Sequence, residues 1–326
     1  MIVPDYWAEA RRQHRDAHGQ VTVRRLGWSI SSAADAAAMA ERRADEALRR
    51  LAAGEKLARR EPKVPYNGAD GVPIREEVLA RSGEDVVTRN AYGARCLNSP
   101  DALFADVDFE SGVAPMSFLA AFLALAAGSV AAGACAGSWR LGAGLAVASF
   151  LLAAPAAALV RRASLALQGG AMSRAKRRLS KFLRSRPEWS VRLYRTPAGL
   201  RLLVTHRAYS PADKEALDFF RAVGTDPVYV RMCRNQQCFR ARLTAKPWRI
   251  GIASHMRPRP GTWPVAPERL AVRAAWVSAY EARARAFASC RFIGSVGTGY
   301  ISLRLQPVVA LHDSASRALE PNLPLA

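Results

Sequence analysis

The feature that most constrains this chain is a long stretch without charge. From Ser111 to Trp139 there is no Asp, Glu, Lys or Arg; Arg140 interrupts, and Leu141 to Val160 is again uncharged. A bilayer core takes about 20 predominantly apolar residues per helix, and each half meets that length. Small residues fill "LALAAGSVAAGACAG", which lets two helices approach closely. The link "GSWR" is so short that the two helices must run antiparallel. Trp139 and Arg140 suit an interfacial position, and Pro155 is tolerable inside a membrane helix. The alternative, a hairpin buried in a soluble core, would need to cover two such runs back to back.

The flanks orient the hairpin. Its second half is followed by Arg161, Arg162 and then "RAKRRLSKFLRSR", whereas the outer turn carries one Arg. The positive-inside rule then places both termini in the cytoplasm, with a bacterial inner membrane as the expected location. The opening "MIVPDYWAEARRQHRD" has no apolar core, so a cleavable leader is not expected. Between Met172 and Arg186, Ala175, Leu179, Phe182 and Leu183 fall on one helical face. Arg174, Lys176, Arg177, Arg178 and Lys181 occupy the other positions. After a membrane span, such a helix suits anionic headgroups; a nucleic-acid backbone is the other partner it could meet. The chain as a whole has 48 Lys and Arg against 27 Asp and Glu, a net charge of +21, which favours anionic partners.

Around the hairpin the sequence predicts an α+β protein. Residues 1–63 read as a mainly helical region, with one strand-like piece, "VTVRRLGW". Ser31 or Ser32 can cap a helix that begins "AADAAAMAERRADEALRRL". Residues 64–113 form the first part of a cytoplasmic domain, 114–160 the transmembrane hairpin, 161–186 the basic juxtamembrane helix, and 187–326 the second part of the domain. "GADGVPI" and "LNSPD" are turn clusters, and "DVVTRNAYGARCL" reads as strand then loop. "WSVRLYRT" and "LRLLVTHR" flank a Pro/Gly turn and predict a β-hairpin. A short helix, "SPADKEALDFFRAVG", and a strand, "DPVYVRMCR", come next. "CFRARLTAKPWRIGI" is a further strand, "ERLAVRAAWVSAYEARARAFASCRF" a long helix, and "YISLRLQPVVALHD" the last strand. "GSVGTGY" lacks the residues of a phosphate-binding loop and reads as a simple loop. Counted from "LFADVDF", the order is β-α-β-β-α-β, a ferredoxin-like or RRM-like core with the membrane hairpin inserted in its first crossover. Arg240, Arg242, Lys246 and Arg249, interleaved with aromatics, could grip phosphates or line an ordinary edge strand.

Candidate chemistry centres on carboxylates. Asp106 and Asp108, two apart on a strand, share a face, and their repulsion is relieved by a divalent cation such as Mg²⁺ or Mn²⁺. His206 ends the predicted hairpin, and Asp313 ends the last predicted strand. This set resembles the archaeo-eukaryotic primase superfamily, with its RRM-like core, D-x-D motif, His-bearing second motif and an apolar residue followed by Asp. The resemblance implies Asp106, Asp108 and Asp313 as metal ligands, His206 as a phosphate contact, and nucleotidyl transfer on a nucleotide or nucleic acid. The alternative is a non-catalytic, membrane-tethered module that binds lipid, nucleic acid or protein. The five cysteines are scattered and do not suggest a disulfide framework. Cys233 and Cys238 with His255 offer three zinc-type ligands at an unusual spacing; two thiols beside a turn is the plainer reading.

Overall fold

The computed structural model describes residues 1–16, 19–61, 72–109 and 115–326. The expected boundary at 63/64, most of the turn cluster at 68–74 and the expected start of the hairpin at 114 lie outside them. The chain divides into two compact units, Met1–Val107 with Ser185–Ala326, and Asp108–Arg184. Among the described residues there are eight α-helices and three antiparallel sheets.

The first unit begins with a correction. The described residues of the expected 1–63 region are not mainly helical: β1 (Tyr6–Asp16) and β2 (Gly19–Ser29) pair antiparallel along their whole length, and α1 (Ala33–Ala52) packs on them. The Ala, Glu and Arg of β1 are good helix formers, and that propensity is a weak prior which tertiary pairing overrides. Ser32 caps α1, accepting a hydrogen bond from Asp35 N at 3.1 Å. Ala36, Ala40, Ala44 and Ala47 bury one face of α1. Gly27 of β2 makes that approach possible: a Cβ there would run into Ala36 O and the Ala40 backbone. Among these small side chains Val23 is fully buried.

Two four-stranded sheets follow in the same unit. One has the order β3-β4-β5-β9, from β3 (Glu77–Ser82), β4 (Asp85–Arg89), β5 (Arg95–Ser99) and β9 (Phe239–Arg242). The stretch read as strand then loop is thus two strands joined at Asn90–Gly93, where Asn90 Oδ1 accepts from Tyr92 N and Ala94 N. The other has the order β10-β7-β8-β6, from β6 (Phe104–Asp108), β7 (Ser190–Arg195), β8 (Gly199–Val204) and β10 (Arg291–Gly297). The expected β7–β8 hairpin is present in register, Val191 opposite Val204. Strand β8 lies between β6 and β7, and β10 pairs with β7, at the sheet edge away from β6.

Two predicted strands are helices. "VYVRM" belongs to α6 (Pro227–Gln236), which follows α5 (Lys214–Val223). Asp226 caps α6, accepting from Val228 N at 2.9 Å, and Pro227 sits in its first turn. A cap followed by proline is a helix start signal, and it outweighs the β preference of Val-Tyr-Val. "PVVALHD" lies in α8 (Gln306–Ser316), where Val308, Val309, His312, Asp313 and Ser316 are buried at helical spacing. β3 and β10 are further strands that the sequence does not predict; β10 begins in the tail of the expected long helix and ends in a Gly-rich stretch expected as a loop. The long helix is present as α7 (Leu270–Ala284).

The second unit holds α2 (Pro115–Cys135), α3 (Trp139–Leu167) and α4 (Gly170–Leu183). Both α2 and α3 are long and apolar enough to cross a membrane. Their facing sides are small: Ser129, Gly133, Gly142, Ser149, Ala153 and Ala157 are buried. A Cβ on Gly133 would lie 2.6 Å from Gly142 Cα, so the backbones pass in direct contact. The Ser129 and Ser149 hydroxyls lie 2.9 Å apart, so one donates to the other while the second donates back to a carbonyl of its own helix, Leu125 O or Leu145 O. Large side chains point the other way: Leu123, Val147, Phe150, Leu151, Leu159 and Val160 are exposed.

Candidate functional site

Asp106 is not an open carboxylate. Arg201 on β8 is fully buried and forks onto it, Nε to Oδ1 at 2.8 Å and Nη2 to Oδ2 at 3.0 Å. The remaining nitrogen, Nη1, donates to Arg242 O at 2.7 Å and lies 3.3 Å from His312 Nε2. His312 Nδ1 is 3.1 Å from Asp313 Oδ1. Asp313 Oδ2 accepts from Arg192 Nη2 at 2.5 Å, and Arg192 Nε donates to Tyr194 Oη at 2.8 Å. Cys290 Sγ sits 3.9 Å from His312 Nε2 and 3.4 Å from Ser316 Oγ. One chain of polar contacts therefore ties β6, β7, β8, β9 and α8 together through the interior.

Charge compensation sets the protonation states. Burial alone would raise the Asp106 carboxyl, but the Arg201 fork holds it below the usual carboxylate range. Burial is likewise overridden at Asp313, by hydrogen bonds from His312 and Tyr194 and the charge of Arg192. Burial opposes charge on His312, yet its contacts with Asp313 and Cys290 lift it above the ordinary histidine value. His312, and after it the charge of Arg201 and the Ser316 hydroxyl, bring the Cys290 thiol below its ordinary value in spite of burial. Cys290, His312 and Asp313 are in the order of a nucleophile, base and orienting acid. Cys290 and His312 are both fully buried, so the sulfur is covered by protein.

These shifts predict an acid sensitivity of definite sign. Carboxyls depressed in the folded state contribute stability that is complete above the unfolded value near pH ~4 and lost as pH falls through the folded value. Asp106→Asn should therefore melt below the wild type at pH 7, with the gap narrowing as pH is lowered toward 3. Thermal melts of the detergent-purified protein across that range would read it; a gap independent of pH would contradict it.

On its other side Asp106 opens on a cavity of about 80 Å³, lined also by Glu76, Asn90, Tyr92, Arg240 and Arg242. This opening accounts for the 37% exposure of a side chain otherwise surrounded by protein. The volume is that of two or three water molecules. Arg240 is not an external anion site as expected: it is buried, with Nη2 donating to both Glu76 carboxylate oxygens at 2.6 Å and Nη1 to Asn98 Oδ1 at 2.7 Å. Thr88 completes the cluster, donating to Glu76 at 2.6 Å. Arg242 faces the cavity, and its charge also lowers the Asp106 carboxyl. Lys246 lies 5.3 Å from the Trp248 ring centre. Arg249 ends a short 3₁₀ turn from Pro247.

The remaining sequence candidates lie elsewhere. Asp108 is exposed at the end of β6. His206 Nδ1 accepts from Ser190 N at 3.3 Å, its Nε2 is 2.9 Å from Tyr209 Oη, and its ring packs 4.8 Å from that of Trp189. Burial and then Arg207 push its pKa down; it belongs to an aromatic cluster apart from Asp106. Cys233 and Cys238 are buried and their thiols are pushed up, Cys238 to about 11, so thiolates are disfavoured. His255 lines a surface groove away from them. Among the described residues no three His, Cys, Asp or Glu side chains come together as a metal site. On α4, Lys176, Arg177, Arg178 and Lys181 are exposed, while Ala175, Leu179 and Phe182 are buried; Arg174 is half-buried.

Arg201 was the residue that mattered most and was missed. The signal was available: an arginine inside the apolar strand "GLRLLV" needs a buried anion, and "LFADVDF" offers one. No family model matches the chain, and no curated protein or solved structure matches it.

Proposed function

We propose that this is a two-span protein of a bacterial inner membrane, both termini cytoplasmic, whose basic α+β domain engages an anionic partner at or near the membrane. The observation that carries the reading is the surface of α2 and α3: small residues face each other and large apolar residues face out. In water that arrangement exposes the wrong side; in a bilayer it is the expected one. The four exposed cations of α4, one turn after α3, support contact with anionic headgroups. The split β-α-β relation of β6, β8 and β7 supports a ferredoxin-like reading of that sheet, as a variant with its last strand at the β7 edge.

Native mass spectrometry of the detergent-purified protein tests the lipid contact. Phosphatidylglycerol should be retained over phosphatidylcholine. Replacing Lys176, Arg177, Arg178 and Lys181 with Gln should remove that preference, each cation contributing about 1 kcal/mol near an anionic surface. Equal retention of both lipids by the wild type would count against it.

Nucleotidyl transfer by Asp106, Asp108 and Asp313 with Mg²⁺ or Mn²⁺, as the primase resemblance implies, is the second reading. What favours it is that Asp106 and Asp313 share one polar network. It requires Arg201 and Arg192 to release those carboxylates, and calorimetry with Mn²⁺ on the wild type and Asp106→Asn would decide it.

A further inference from the structure

Many guanidinium groups of the first unit pair with carboxylates. Arg12, Arg43, Arg81, Arg89, Arg192, Arg201, Arg240, Arg273 and Arg304 each meet a carboxylate. A groove of about 820 Å³ departs from this pattern. Arg257, Arg259, Arg269 and His255 line it with Ser254 and Pro258, and no carboxylate does. Among the described residues none of the three arginines is in an ion pair, and all three are exposed. Three like charges on one concavity repel one another, so the groove is incomplete in charge as it stands.

The segment that carries these arginines is anchored. Met256 between them is buried. Gly261 N donates to Pro258 O at 2.8 Å, and Gly261 has φ +78 with its α-carbon against Ala91 O, where a Cβ would not fit. Trp263 N donates to Arg75 O at 3.0 Å, and Arg75 Nε returns a bond to Trp263 O at 2.8 Å. Trp276 Nε1 donates to Ser254 O at 3.2 Å. Arg269 comes from a separate element, at the entry to α7. The two segments thus hold their cations apart on fixed supports, which reduces the ordering cost of binding.

We propose that this groove binds a soluble small molecule carrying two or more adjacent phosphate groups. Its volume is in the range of small-molecule sites. Guanidinium groups match phosphate oxygens two at a time. The lining holds no Phe, Tyr or Trp, and its one ring is the His255 imidazole, so its three guanidinium groups make phosphate the main recognition element. The proposal rests on the anionic-partner half of the function proposed above, and names the ligand class for a site distinct from α4.

The test uses full-length protein in detergent and inorganic triphosphate as probe, by isothermal titration at low salt. The wild type should bind one equivalent, at least tenfold tighter than orthophosphate. Arg257→Gln with Arg259→Gln and Arg269→Gln should weaken binding at least tenfold with an unchanged melting temperature. The α4 variant with four Gln should bind triphosphate like the wild type, and the groove variant should keep its phosphatidylglycerol, so each reading can fail without the other. No binding by the wild type would overturn the proposal. So would undiminished binding by the groove variant, or displacement of triphosphate by phosphatidic acid micelles at equal phosphate, which would assign the site to a headgroup.

Discussion

Arg201→Met is expected to destabilise the first unit by roughly 2–3 kcal/mol, less than for a pair buried on both sides, because the Asp106 side chain keeps 37% of its surface exposed. The substitution leaves Asp106 charged without its fork, and takes away the donors that face Arg242 O and His312 Nε2. For a unit of this size each kcal/mol moves the melting temperature by roughly 2–4 °C, so a drop of about 4–12 °C is expected. The companion variant Asp106→Leu with Arg201→Met removes both charges and should recover much of the loss. Buried pairs replaced whole by apolar groups are often neutral, and the double-mutant cycle isolates the coupling. Melts of the three variants in detergent, followed by circular dichroism, would read it. Equal losses in the single and double variants would mean that the arginine acts through packing alone.

The second large effect concerns the spans. Leu123 and Leu151 sit near the middles of α2 and α3, with 57% and 73% of their surfaces exposed. An arginine at the centre of a membrane helix costs about 2.5–3.5 kcal/mol on insertion scales. Leu123→Arg with Leu151→Arg should therefore move a large share of the protein out of the carbonate-resistant membrane fraction. Leu123→Ala with Leu151→Ala should stay in it. Were both helices covered by protein, the alanine pair would be costly too, through the cavities it leaves, and the unchanged chain would be recovered in the soluble fraction.

The two long apolar helices, the α5 helix, the β7–β8 hairpin and the Ser32 cap are legible because each rests on local signals: charge-free length, a Pro/Gly turn, a capping side chain. β1 is not, since its Ala, Arg and Glu favour helix and only its pairing with β2 makes it a strand. α6 and α8 were misread because β-branched residues outweighed the Asp-Pro and Gln-Pro entries that start them. Moving Asp313 from a strand to a helix also changed its neighbours, from a presumed metal to Arg192 and His312. The carboxylate pair in "LFADVDF" raised a metal because the sequence does not say which cation answers a buried anion. Here Arg201 answers Asp106, from a strand almost a hundred residues on.

The central claim, a hairpin that crosses the membrane and returns, is tested most directly with the cysteines the chain already has. Cys135 ends α2 at the turn of the hairpin and is exposed, whereas Cys96, Cys233, Cys238 and Cys290 are buried. A membrane-impermeant maleimide added to intact spheroplasts should label the wild type at Cys135, and Cys135→Ser should remove the label. Labelling of Cys135 only after the cells are lysed would put the turn on the cytoplasmic side and contradict the topology.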